Sequence, residues 1–267
     1  MSDKVVVITG ASSGIGAELA RQLGARGEKL VLCARRERLL GEVAAASGNA
    51  LAVPGDMTKR ADAERLRDRA IAEHGRIDAW VNNAGRGLNR RVEDLTDEDV
   101  GSTLASVLFS TLYGMQAVLP HFKKRGAGHI VNVSSFLGRV PITPYRSIYS
   151  ASKAAVNVLS ANLRMDLRQR FPGIRVSVVM PGVVDTPFHE IAGPGLPARA
   201  GGFLGLTRIE SAAEVASKIA DLLDHPVPEL YTGDGASHLV ETYFRDVGAF
   251  EEGFAARAGA RPGPASQ

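Results

Sequence analysis

Near its start the chain carries an apolar, β-branched run, Lys4 to Thr9, that breaks at Gly10 and passes through Thr9-Gly-Ala-Ser-Ser-Gly14-Ile-Gly16 into a helical pattern from Ala17 to Arg26. No other stretch restricts the fold as much. A strand that is apolar along its whole length is buried on both faces, which calls for helices above and below a parallel sheet. The glycine turn and the helix N-terminus behind it form an anion site. Glycines let backbone approach a pyrophosphate, and the exposed N–H groups and helix dipole favour its charge. A ligand-free tight turn would use the same glycines, so the motif needs support from elsewhere.

That support comes from alternation. Further strand-like runs occupy Lys29 to Ala34, Ala50 to Pro54, Ile77 to Val81, Ile130 to Val133, Val176 to Met180 and Leu230 to Thr232. Between them lie helical patterns at Lys59 to Glu73, at Thr96 to Lys124, and from the region of Tyr149 to about Arg170. Thr96 is a candidate N-cap with Asp97, Glu98 and Asp99 behind it, Ser211-Ala-Ala-Glu214 is a capping-box pattern, and Leu239 to Phe254 reads as a short amphipathic segment. With no repeat and no linker between cores, the expectation is an α/β protein. It is a single-domain doubly wound (Rossmann) parallel sheet of six to seven strands with helices on both faces. That domain would span 1–258, with 259–267 a frayed tail. The aperiodic, Gly- and Pro-rich 187–210 would be a substrate lid loop whose apolar residues, Phe188 and Leu196 among them, suit a substrate with a hydrophobic part.

Composition narrows the function classes. The net charge of +3 is spread along the chain without a Lys/Arg block, which argues against nucleic acid. The single Cys33, inside an apolar run, excludes a disulfide framework and a Cys-rich metal site, and none of the six histidines has a second ligand at metal spacing, so no metal is expected. No apolar run reaches the ~18 residues of a membrane span, and the expected setting is the cytoplasm, without membrane.

Chemistry-bearing residues gather at strand ends. Ala34 closes its strand with Arg35-Arg36 next, where a carboxylate would hold a ribose 2′-hydroxyl and an arginine a 2′-phosphate; two solvated arginines at a helix start are the plain alternative. Asn82-Asn-Ala-Gly85 follows another strand, and either asparagine could simply close the turn. Ser134-Ser135 follows a third. Tyr149 and Lys153 stand four apart on one helical face, where a cation favours the phenolate of a phenol.

In this order and approximate spacing the motifs resemble the short-chain dehydrogenase/reductase family. The match runs from Thr9-Gly-Ala-Ser-Ser-Gly-Ile-Gly16 through Asp56, Asn82-Asn-Ala-Gly85, Ser135 and Tyr149-x-x-x-Lys153 to Pro181-Gly182 with Thr186, over about residues 4 to 235. The resemblance implies hydride transfer between NADP(H), with NAD(H) less favoured, and a small-molecule ketone or secondary alcohol. Tyr149 would be the acid or base, Ser135 a donor to the substrate oxygen, and Lys153 a ligand of the nicotinamide ribose that lowers the Tyr149 pKa. Gly10, Ser12 and Ile15 would meet phosphate or ribose, Arg35 the 2′-phosphate, Asp56 the adenine, Asn83 the adenosine side or ribose, and Thr186 the carboxamide. Ser13, Gly14, Gly16, Met57, Ala84, Gly85, Pro181, Gly182 and Val184 complete the expected cofactor site.

Two departures stand out. The family places an asparagine on the helix before the serine strand, completing a proton path; here the position holds Val107, with Ser106 or Ser110 as possible helpers. Ser135 precedes Tyr149 by fourteen residues, about one more than usual, which leaves Ser134 as an alternative donor. Val107 also supports a rival reading, a cofactor-binding sensor or scaffold with little turnover. The long helices at about 97–124 and 150–170, apolar on more than one face, resemble those through which family members form homodimers or homotetramers.

Overall fold

Every residue of Val5–Thr9 (β1) is buried, because β1 is an inner strand, paired on both sides, of a seven-stranded, wholly parallel sheet. The computed structural model describes residues 3–48, 50–143, 145–188 and 209–259, without the side chains of 257–259. Its strands are β2 Lys29–Ala34, β3 Leu51–Pro54, β4 Ala79–Asn82, β5 Gly128–Val133, β6 Ile174–Met180, a short β7 Val184–Asp185 paired with β8 Glu210–Ser211, and β9 Glu229–Tyr231. The main sheet runs β3-β2-β1-β4-β5-β6-β9. The chain winds outward from β1 through β2 and β3, then returns to the other side of β1 with β4. Where the direction reverses, the loops after β1 and β4 part and leave a crevice at the strands' carboxyl ends.

Alternate residues of β1 feed two cores. Val6 and Ile8 pack with Leu19 and Leu23 of the helix Gly14–Ala25 (α1), Leu40 of Glu37–Ala45 (α2) and Ile219 of a later helix. Val7 faces the opposite layer, with Leu66 of Arg60–His74 (α3), and Trp80, Phe122 and Ile130. Trp80 and Phe122 are among the largest fully buried side chains; a leucine or phenylalanine so placed contributes about 1.5–3 kcal/mol over its exposed state.

The long helix expected from Thr96 to Lys124 is present but not uniform. Asp97–Thr103 (α4) opens on the complete Thr96/Asp99 capping box, a π-helical stretch occupies Leu104–Phe109, and Ser110–Arg125 (α5) continues the run. Two hydroxyls accompany the widened turn: Ser110 Oγ donates to Ser106 O at 2.8 Å and Thr111 Oγ1 to Val107 O at 2.9 Å. Such back-bonding competes with the regular ladder and favours irregular helix. By length and mean hydropathy, Asp97–Arg125 is the one helix among the described residues that would suffice to cross a membrane; here Met115, Val118 and Phe122 lie in the second core, which accounts for its apolar character.

A buried polar chain fastens this helix layer to the sheet. Trp80 Nε1 donates to Asn82 Oδ1 (2.7 Å), Asn82 Nδ2 to Asn132 Oδ1 (2.8 Å), Asn132 Nδ2 to Ser160 Oγ (2.8 Å), and Ser160 Oγ to Val156 O (2.6 Å). A Cβ at Gly114 would overlap Asn82 Oδ1, so α5 can lie this close only with glycine there.

Among the described residues the remaining α-helices are α6 Ser147–Arg168, α7 Ala212–Asp224, α8 Ala236–Arg245 and α9 Val247–Gly259. The segment expected as one short element from Leu239 to Phe254 is therefore two helices, separated at Asp246, which is extended at its cap. The Ser211/Glu214 capping box is formed as expected. Of the expected lid, 189–208 lies outside the described residues, as does 260–267 of the expected tail. Pairing of Val184 with Glu210 and Asp185 with Ser211 brings the two ends of the former segment together.

Candidate active site

A cavity of ≈ 400 Å³ opens at the crevice and draws its walls from the loops after β1, β2, β3, β4, β5 and β6 and from α6. Its floor is the glycine turn. Gly10 and Gly14 have φ of 66° and 56°, a region L side chains rarely adopt, and a Cβ at Gly10 would stand 2.8 Å from Ala84 Cα. The turn is thus bare backbone ahead of the α1 N-terminus, the shape that a dinucleotide pyrophosphate requires. Asn83 braces it. Its Nδ2 donates to Thr9 O (3.1 Å) and Gly10 O (3.2 Å), while Thr9 Oγ1 accepts from the N–H groups of Asn83 and Ala84, both at 3.1 Å. Gly16 is not in the cavity wall: a Cβ there would meet Asn83 Nδ2 at 2.5 Å and Gly10 O at 2.7 Å, so its smallness serves packing of the loop.

At the β2 end both arginines line the cavity, and the more engaged of them is Arg36. Its Nη2 donates to Ser12 Oγ (2.9 Å) and Ser13 Oγ (2.6 Å), so guanidinium and glycine turn hold each other. Asp56 accepts from Thr58 N (3.0 Å) and Thr58 Oγ1 (2.9 Å) and, with Met57, lines the wall after β3. Ala84 and Gly85 line the wall after β4, while Pro181, Gly182, Val184 and Thr186 form the wall after β6. Thr186 Cγ2 lies 3.3 Å from where a Gly14 Cβ would be, so that wall closes against the glycine turn.

The catalytic candidates converge in the same cavity. Ser135, extended at the end of β5, Tyr149 and Lys153 all line it and are buried. Ser134, the alternative donor, is engaged elsewhere, its hydroxyl donating to Lys153 O at 3.2 Å. Burial raises the Tyr149 pKa above that of an ordinary phenol, with the Arg146 charge and the Ser135 hydroxyl pulling the other way. Lys153 donates to Val133 O at 2.8 Å, and burial lowers its pKa to about 8.

Two cations flank the Tyr149 ring: Lys153 Nζ, which donates to a β5 carbonyl, lies 5.7 Å from its centroid, and Arg146 Cζ lies 5.5 Å from it. Arg146 and Arg36 are the residues that sequence reasoning passed over. Arg146 stands three positions before Tyr149, a helical-face spacing that could have exposed it; Arg36 was one residue from the arginine chosen. Val107 is fully buried against Tyr149 and Val156, its carbonyl accepting from Thr111 Oγ1, while Ser106 and Ser110 both line the cavity. Among the described residues no group of three or more His, Cys, Asp or Glu side chains could hold a metal ion.

Comparison with known proteins agrees with this geometry. Residues 4–194 match the model of the short chain dehydrogenase family. An uncharacterized oxidoreductase of Bacillus subtilis, YxnA, is 33% identical over 244 residues, covering 90% of this chain and 68% of that one. An alcohol dehydrogenase from the archaeon Thermococcus sibiricus, solved with 5-hydroxy-NADP, superposes with a TM-score of 0.73 at 29% identity, covering 87% of this chain and 97% of its own. A 3-ketoacyl-(acyl-carrier-protein) reductase from Brucella melitensis, solved with NADH, reaches a TM-score of 0.79 at 27% identity, with 88% and 98% covered.

Proposed function

Because this chain belongs to the short-chain dehydrogenase/reductase family, we propose that it is an NADP(H)-dependent oxidoreductase that interconverts a ketone and a secondary alcohol. The observation that carries the reading is the meeting of Ser135, Tyr149 and Lys153 in one cavity with the bare glycine turn. NADP(H) is favoured by the Arg35-Arg36 pair where a ribose-binding carboxylate would otherwise stand. The cytoplasm and a homodimer or homotetramer belong to the same reading, the latter supported by Val158 and Met165, large apolar residues left exposed on α6.

Bound nicotinamide supplies or accepts the hydride. The chain's own residues do the rest. Ser135 donates to the substrate oxygen and fixes it beside Tyr149. In reduction the raised pKa keeps Tyr149 protonated at neutral pH, so its proton is available to the oxygen as the carbonyl carbon takes hydride. Solvent then restores the phenol. In oxidation Tyr149 takes the proton instead, a step that Arg146 and Ser135 favour by stabilising its phenolate.

The test is NADPH oxidation with a panel of ketones, followed by absorbance of the reduced nicotinamide. Tyr149→Phe is expected to lower kcat by about 100- to 10,000-fold while leaving NADPH binding in place. NADPH binding with no turnover of any carbonyl would replace this reading with that of a cofactor-binding sensor.

A further inference from the structure

Arg146 is a guanidinium with only 5% of its surface exposed, yet it lines the cavity. Its Cζ lies 5.5 Å from the Tyr149 ring centroid and 5.7 Å from that of Phe188, and the two rings are 5.6 Å apart, so the charge sits between two aromatic faces next to the reacting phenol. The neighbouring backbone is fastened around it. Arg90 and Arg146 form a parallel bridge, Ser147 Oγ donates to Arg90 O at 2.8 Å, and Arg91 Nη2 donates to the Tyr145 hydroxyl at 2.8 Å. Tyr145 is also the one non-glycine residue with positive φ, 67°, among the described residues. Strain held in place by several contacts is characteristic of preorganised sites.

The charge around the cavity has a direction. Its charged lining comprises Arg35, Arg36, Arg86, Arg146 and Lys153 against Asp56. Arg35 and Arg36 stand beside the glycine turn, where cofactor phosphates belong; Arg146 stands beside Tyr149, where substrate belongs. A guanidinium remains charged even where burial depresses its pKa, as here, and its planar fork matches a carboxylate.

Resting on the oxidoreductase reading above, we propose that the substrate is anionic, an oxo acid or the corresponding hydroxy acid, with Arg146 anchoring its carboxylate while Ser135 and Tyr149 hold the reacting oxygen. A fork-to-carboxylate contact and a phenol-to-carbonyl hydrogen bond each span about 3 Å. Arg146 Cζ lies 5.5 Å from the centroid of the ring that carries the reacting hydroxyl, so a short spacer between carboxylate and carbonyl suits both contacts, and the class proposed is α- or β-oxo acids. The carboxylate takes no part in bond changes: hydride adds to the carbonyl carbon, and the Tyr149 proton goes to its oxygen.

The experiment compares each acid with its neutral ester: benzoylformate with methyl benzoylformate, and acetoacetate with methyl acetoacetate. Each is reduced with NADPH by wild type, Arg146→Gln and Arg146→Lys. Wild type is expected to prefer at least one acid over its ester in kcat/KM. Arg146→Gln is expected to lower that acid's kcat/KM by about 100-fold, mainly through KM, with a much smaller loss on the ester, and Arg146→Lys to recover part of it. Calorimetric binding of benzoylformate or acetoacetate to the NADP⁺-loaded protein gives a readout independent of turnover, and the wild-type acid-to-ester ratio stands even if a variant does not fold. Preference for the ester in both pairs, or equal losses on acid and ester in Arg146→Gln, would overturn the anchor while leaving the oxidoreductase reading intact. Absence of NADPH oxidation with these probes and with neutral ketones alike would overturn both.

Discussion

His129 lies at the start of β5, buried in the sheet, and should make the protein sensitive to mild acid. Its Nε2 is 2.8 Å from Ser177 Oγ. Ser177 Oγ donates to Val227 O at 2.6 Å, which leaves it as the acceptor and places the imidazole proton on Nε2. Nδ1 is buried and has no hydrogen-bond partner among the described residues, so a second proton there would bring charge into the interior without an acceptor. Burial, reinforced by the charges of Lys4 and Arg175, lowers the pKa from 6.5 to about 4. Between those values the unfolded chain binds the proton and the folded one does not, so stability falls as pH falls from about 6.5 to about 4. One pKa unit is worth ~1.36 kcal/mol, so the loss by pH 4 is about 3 kcal/mol. Urea unfolding from pH 7 to pH 4, with wild type beside His129→Gln, measures it. Glutamine retains a donor for Ser177 and does not titrate, and carboxylate effects common to both proteins cancel. Wild type should lose about 3 kcal/mol relative to the variant across this range. A difference in stability that stays constant with pH would refute the reasoning.

Two further outcomes concern the proposed cofactor and assembly. Arg36→Ala should weaken NADPH binding more than NADH binding and, since Arg36 rather than Arg35 bonds Ser12 and Ser13, should also weaken NADH measurably, whereas Arg35→Ala should act on NADPH alone; fluorescence titration of both cofactors with both variants separates these effects. Sedimentation at micromolar concentration should show a dimer or tetramer, and Met165→Glu on the exposed face of α6 should shift it toward monomer, an expectation that a monomeric wild type would remove.

Legibility followed physical locality. Apolar runs bounded by glycine announced all seven strands of the main sheet; inner strands such as β1 are buried on both faces and so apolar throughout, while the edge strands β3 and β9 are only part-buried. The Thr96 N-cap and the Ser211/Glu214 capping box were readable because both act within one turn. The π-helical stretch was not: the hydroxyls of Ser110 and Thr111 that accompany it look ordinary in a helical pattern. β7 and β8 escaped notice because two-residue strands carry no period. In the candidate site, the glycine turn, Ser135, Tyr149 and Lys153 stood out because the proposed chemistry demands those residue types, and the fold brings them to one cavity. Asn83 was read as a cofactor contact, and its bracing of Thr9 and Gly10 depends on a partner more than seventy residues away. Arg146 was missed because an arginine at a helix start reads as solvated; only the packing of Phe188 and Tyr149 around it shows otherwise.

The buried chain beneath the site has a polarity. Trp80 has a single polar atom and can only donate, so Asn82 must turn its oxygen toward the indole and its nitrogen toward Asn132. Asn132 must then do the same toward Ser160, and the serine hydroxyl must point at Val156 O. One indole proton therefore dictates the orientation of two amides and a hydroxyl, and ends the line on the helix that carries Tyr149 and Lys153. With phenylalanine in place of Trp80 the dipoles would lose the reference that sets their common sense, and the register between the sheet and the helix carrying Tyr149 and Lys153 would no longer be written in one direction.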